Sequence, residues 1–258
     1  MSLLNTLTSG VSALRSFSQG LDSIGNDIAN VNTTAFKSQD TSFADTFNGQ
    51  GVQVTATSTN YSQGSLSSTG VPTDLGVSGN GYFLVNDTTS GAQYLTRDGS
   101  FTVDSSGYLI NQQGYRVQGL VSGSGAAIQI PLVNSGNSAL QSQSVDNSGN
   151  VVASYADGTQ TTVGQVALFN PADSASQLSS QGDNLYSYSG GAITLASTNA
   201  PGSSGLGNIQ AGTLEQSNVD LTQEFSEMIT MQRAFEANSR VVTVSDTILQ
   251  DIVDLKRS

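Results

Sequence analysis

Apolar residues recur every seven positions at the start of the chain. Leu7, Leu14, Leu21 and Ile28 form one row, and Leu3, Phe17, Ile24 and Val31 form a second that only Gly10 interrupts. Such a and d rows mark a helix that packs along another helix. At roughly 1.5 Å per residue, about 28 residues give a rod about 42 Å long. Gly10, Gly20 and Gly25 each cost about 1 kcal/mol relative to alanine, so this helix is expected to be marginal alone. A core helix of a globular domain is the plain alternative.

The end of the chain repeats the pattern with Leu221, Met228, Phe235, Val242 and Leu249, and Phe225, Ile229, Ile252 and Val253 widen the stripe. Asp220 suits a helix N-cap, and Gln223 stands where a capping box places its return partner. No Pro or Gly occurs from Leu221 onward, and Lys256 and Arg257 suit the negative end of the helix dipole. The pattern predicts a helix of about 36 residues, or about 54 Å. That exceeds the usual globular range and favours a coiled coil or repeat packing.

Between the helices the period falls to two. Tyr94, Phe101, Val103, Tyr108, Leu109, Tyr115 and Val117 read as short strands, with Asp98-Gly99, Ser106-Gly107 and Gln113-Gly114 as hairpin turns. VDSSGYL at Val103 recurs as VDNSGNV at Val145, which reads as repeated turn chemistry. Asp146, Asn147 and Asn150 are also oxygen donors of a calcium-loop type, but the spacing is wrong and the distal Glu is missing. The expected fold is α+β: a β-rich middle domain bracketed by N- and C-terminal heptad α-helices that pack as a coiled coil. Residues 1–33 and 214–258 form the helical domain, 34–69 a connector, and 70–213 the β-rich domain.

Composition narrows the function. A net charge of −12 and a pI near 4.1 carry no basic footprint for nucleic acid and disfavour anionic membrane surfaces. The absence of Cys removes disulfides and thiolate metal sites, and the absence of His removes the commonest general base. The scattered Asp residues sit beside Gly, Ser or Asn as turn formers, and GVSGNGYF (Gly76 to Phe83) leads into a strand pattern rather than a phosphate-binding helix. No catalytic, cofactor or metal site is expected. No apolar run is long enough to cross a membrane, and the first residues lack the form of a cleaved signal peptide.

IGNDIANVNTTAFKSQ resembles the N-terminal signature of the bacterial flagellar rod and hook family, in which a helix ends in Ala-Asn, followed by Thr, Gly, an aromatic and Lys. Ala29, Asn30, Thr33, Phe36 and Lys37 match. Ala35 departs, standing where the family has Gly; if the position needs a positive φ, alanine is strained there. LEQSNVDLTQEFSEMITMQRAFEANSRVVTVSDTILQ is similar to the family's C-terminal signature, and YLTRDGSFTVDSSGYLINQQGYRVQG to its strand core. SFADTFNGQGVQV (Ser42 to Val54) is similar to hook members, whereas the short stretch after Gly119 suits rod members; hook is preferred, with the distal rod as alternative.

The resemblance implies a subunit of a tubular homopolymer in the flagellum. It would be exported by the flagellar type III apparatus without a cleaved signal peptide. It would meet other axial proteins of rod, cap and hook–filament junction. The expected assembly interface is Leu7, Leu14, Leu21, Ile24, Ile28, Val31, Leu221, Phe225, Met228, Phe235, Val242 and Leu249. The expected joint is Asn30, Thr33, Phe36, Lys37, Phe43 and Phe47. A stalked extracellular β-rich binding module is the competing class.

Overall fold

The computed structural model describes residues 3–46, 51–171 and 174–257. In chain order its elements are α1 (Leu3–Ala29), β1 (Gln39–Asp45), β2 (Val52–Thr59), β3 (Leu66–Ser68), β4 (Leu75–Ser78), β5 (Tyr82–Asn86), β6 (Gln93–Thr96), β7 (Thr102–Val103), β8 (Leu109–Ile110), β9 (Arg116–Val121), β10 (Ser124–Ala127), β11 (Leu140–Val145), β12 (Asn150–Tyr155), β13 (Gln160–Val166), β14 (Leu168–Phe169), α2 (Ser174–Gln177), β15 (Leu178–Gly182), β16 (Leu185–Tyr188), β17 (Asn208–Ala211), β18 (Thr213–Glu215) and α3 (Leu221–Arg257). The class is α+β, with a β-rich middle between a helix at each end. The chain divides into a helical unit (Met1–Asn32, Lys37–Ser62 and Asn218–Ser258) and a β unit (Thr33–Phe36 and Gln63–Ser217). The stretch 34–69, expected as a plain connector, carries the β1–β2 ribbon and β3, with the ribbon belonging to the helical unit.

In the β unit an antiparallel path runs β11-β12-β13-β9-β5-β6-β16-β15, while β17 pairs β4 and β18 pairs β3. Strand periodicity is plain in β12, where Val151, Ala153 and Tyr155 point inward and the residues between them are half-buried. Phe83 and Phe101 meet edge to face at 5.1 Å in the core, beside Leu75, Leu109 and Val117. The repeated turn motif is one device used twice. Asp104 Oδ1 accepts the N–H groups of Ser106 and Tyr108 between β7 and β8. Asp146 Oδ1 accepts those of Ser148 and Asn150 between β11 and β12. Asn111 repeats the pattern with Gln113 and Tyr115 between β8 and β9. Each side chain closes its own turn locally.

Asp98-Gly99, read as a hairpin, is instead a crossing. It links β6, whose partners are β5 and β16, to β7, which pairs β8. A Cβ on Gly99 would collide with the carbonyl of Leu75, so glycine is needed there for close backbone approach.

A buried ion pair closes the β unit where the chain leaves it. Glu215 Oε2 accepts Arg97 Nη1 at 3.1 Å, and its Oε1 accepts the N–H of Gly64 at 2.9 Å. Arg97 Nη2 donates to the Gly79 carbonyl at 2.8 Å, and the guanidinium lies 5.0 Å from the centroid of the Tyr82 ring. The Glu215 carbonyl also accepts the N–H of Ala35, on the short segment by which the chain enters this unit. Entry and exit therefore share one residue.

Candidate assembly interface

In the helical unit α1 lies antiparallel to α3. Gly10 faces Val242, and Gly20 faces Met231. The closest row on α1 is not the expected leucine row. Gly10, Ala13, Ser16, Gly20, Ile24 and Asp27 are buried, while Leu7, Leu14, Leu21 and Ile28 remain half-buried, as does Val31. Small residues bring the helix axes close: a Cβ on Gly10 would stand 2.8 Å from Val242 Cγ2. The glycine that breaks the heptad in sequence is thus the position at which α3 approaches. A second layer covers the same helix. Phe43 of β1 stacks at a tilt on Phe17 with ring centroids 5.9 Å apart, and Ser16 Oγ donates to the Val52 carbonyl at 2.9 Å.

α3 carries two faces. Met228, Met231, Val242 and Leu249 are half-buried, and Glu224 and Ser245 are buried. The other face is apolar and open to solvent. Val241 (42% exposed), Val244 (59%), Ile248 (42%) and Ile252 (54%) lie along it with Leu255, while Phe225 (49%) and Ile229 (57%) are exposed nearer the start of the helix. Leu221 and Phe235, placed by heptad reasoning in the seam, are exposed here. The reason is periodic: apolar residues on α3 are too many for one stripe, and α1 covers only one of them. Exposed apolar residues in such number along one helix mark an interaction surface. Asp220 caps α3 as expected, its Oδ1 accepting the N–H groups of Thr222 and Gln223 at 2.8 and 3.4 Å. The Gln223 side chain does not return to Asp220; it donates to Glu227 at 3.0 Å.

The expected joint residues serve the end of α1. Asn30 Nδ2 donates to the Asn26 carbonyl at 2.9 Å. The Thr33 carbonyl accepts Phe36 N–H at 3.3 Å, and the turn between them places Ala35 at φ 57°, fully buried. Alanine thus occupies the left-handed conformation that glycine adopts freely, at a cost of about 1–2 kcal/mol. Lys37 is buried, and its ammonium donates to the Ser62 carbonyl at 2.7 Å. Ser38 N–H is accepted by Asn218 Oδ1 at 2.8 Å, and Asn218 Nδ2 donates to the Asn60 carbonyl at 2.9 Å. Phe36 is half-buried. Phe47 lies outside the described residues.

Electrostatics concentrate at the start of α3. Burial, with Asp27 the foremost of several nearby carboxylates, pushes Glu224 up to about 7. Burial also raises Asp27, against the lowering effect of its hydrogen bond from Gln39 N–H. Heptad reasoning overlooked this pair, because acidic residues at seam positions look like solvated charges. Among the described residues no helix is long and apolar enough to cross a membrane.

Residues 210–255, which include α3 as far as Leu255, match the family described as flagellar basal body rod FlgEFG protein C-terminal. Residues 76–153 of the β unit match the one described as flagellar hook protein FlgE/F/G D1 domain. Over 99% of its length the chain is 38% identical to the whole of the flagellar basal-body rod protein FlgG of Bacillus subtilis (strain 168). It is 30% identical to that of Borreliella burgdorferi, again over 99% of this chain and all of the relative. The flagellar hook protein FlgE of Helicobacter mustelae is 37% identical over 45% of this chain and 31% of its own length.

Proposed function

We propose that this chain, which belongs to the bacterial flagellar rod and hook family and is one of its axial structural subunits, builds the distal part of the rod. Its place is the flagellum, in basal body or hook. The observation that carries the rod over the hook is end-to-end alignment: rod relatives are covered completely, whereas the hook relative is covered over 31% of its length. The preference for hook drawn from Ser42 to Val54 gives way to that.

In this reading many copies form a tube. The segments 1–33 and 214–258 make its inner layer, where helices of neighbouring copies complete a coiled coil, and 70–213 makes the outer contacts. The open apolar stripe of α3 supports it, since Val244, Ile248 and Ile252 stay exposed among the described residues. A helix stripe that gains cover only from neighbouring copies is stabilised as they assemble, so subunit stability is linked to polymer growth. Other rod and hook subunits adjoin the tube at its ends, and the flagellar export apparatus delivers the chain.

Deletion of the gene in its own bacterium tests the position. Basal bodies isolated from the mutant are expected to end within the rod, and the full chain supplied in trans should restore them. Complete rods that lack only the hook would refute the assignment.

A further inference from the structure

Asp27 and Glu224 are both deeply buried, at 1% and 8% exposure, one near the end of α1 and the other in the first turn of α3, and the antiparallel register that sets Gly20 against Met231 brings them level seven residues on along α1 and seven back along α3. Asp27 Oδ2 accepts the N–H of Gln39, the first residue of β1, at 2.8 Å. Its Oδ1 is sealed from solvent and has no hydrogen-bond partner among the described residues. An ionised carboxylate in that position costs free energy that a nearby proton offsets. Asp40 on β1 and Glu227, one turn further along α3, press both carboxyls toward the protonated form, and Asp220 at the α3 cap presses Glu224 the same way. The nearby ammonium in sequence, Lys37, is buried and donates to the Ser62 carbonyl. No group of three or more His, Cys, Asp or Glu able to hold a metal ion occurs among the described residues.

We propose that Asp27 and Glu224 hold a single proton between them in mildly acidic solution, and that this proton locks the end of α1, the start of β1 and the first turn of α3 together. Glu224 carries it, since burial and the neighbouring Asp27 raise Glu224 furthest, to about 7. Asp27 keeps the charge, which the Gln39 N–H favours. The ordinary value for Glu224 is 4.5, so between 4.5 and about 7 the folded helical unit binds more protons than the unfolded chain. Its stability is therefore greatest below that window, falls as pH rises through it, and levels off above it. The helical unit tightens in acid and loosens in alkali.

The test uses the full chain labelled with 13C at glutamate carboxyls, titrated by NMR. Glu224 is expected to titrate near neutrality. In Asp27→Asn the amide still accepts from Gln39 and adds a donor toward Glu224. Glu224 should then titrate lower by at least about one pH unit, a tenfold change in proton affinity. The melting temperature, followed by helical circular dichroism, should fall between about pH 5 and pH 8 in the native chain, fall less in Asp27→Asn, and stay level in Glu224→Gln. Glu224 titrating at its ordinary 4.5 would overturn the proposal. So would an unchanged pH dependence in Glu224→Gln, which stands as the deciding variant if Asp27→Asn does not fold.

Discussion

Glu215→Gln removes one charge from the buried pair that closes the β unit while preserving size and the acceptor for Gly64 N–H. The Arg97 guanidinium would then lie buried against the Gly79 carbonyl, the Tyr82 ring and a neutral amide, with Nε already lacking a partner. Breaking a buried pair by neutralising one member costs about 3–5 kcal/mol, mostly because the other charge stays uncompensated. For a unit of this size about 1 kcal/mol lowers the melting temperature by roughly 2–4 °C, so a fall of about 6–20 °C is expected. Near-UV circular dichroism reads it, because the chain has no Trp and every tyrosine except Tyr61 lies in the β unit. Arg97→Met with Glu215→Leu removes both charges and should lose much less than the two single changes added, a coupling of about 0.5–3 kcal/mol. A Glu215→Gln melt within about 2 °C of the native protein, or additive single changes, would refute the reasoning.

Other consequences follow from named contacts. Ala35→Val places a β-branched side chain at positive φ in a fully buried turn and should destabilise by more than about 2 kcal/mol in urea unfolding. Ala35→Gly should stay within about 1 kcal/mol of neutral, as relief of strain offsets the lost methyl and the freer unfolded chain. Gly10→Leu drives a side chain into Val242 and should cost about 1–3 kcal/mol of helical-unit stability, partly recovered by Val242→Ala, in helical circular dichroism melts. Asp157 is held down at about 2 by Thr159 and Asn134, from an ordinary 3.8. Its contribution is present above 3.8 and lost as pH falls toward about 2, so Asp157→Ala should lower the melting temperature at neutral pH and leave it unchanged near pH 2. Val244→Asp with Ile248→Asp should leave monomer stability within about 1 kcal/mol of native yet abolish rod assembly in complemented cells.

Much of the fold was legible. Sevenfold spacing gave both long helices, and the period of two gave the strands. The Asp-x-Ser-Gly turns announced themselves, because an Asx side chain closing its own loop is a local event. What stayed hidden depends on contacts between residues far apart in the chain. Gly10 is a flaw in the heptad, and only the approach of Val242 gives it a purpose. The heptad marked Leu221 and Phe235 as seam residues, but spacing alone says nothing of which apolar stripe a partner covers first. Arg97 and Glu215 are separated by 118 positions and belong to no pattern. Asp27 sits among polar residues at a helix end, where a solvated carboxylate is the ordinary expectation. Ala35 was the exception: its strain was legible from one departure in an otherwise matching motif.

The most direct test of the axial role is electron cryo-microscopy of basal bodies isolated from the native bacterium, at a resolution that places side chains. The expected result is a distal rod built of this chain, with Val244, Ile248 and Ile252 of one copy packed against a helix of another. A distal rod made of a different protein, or one in which that face of α3 remains in water, would contradict the account.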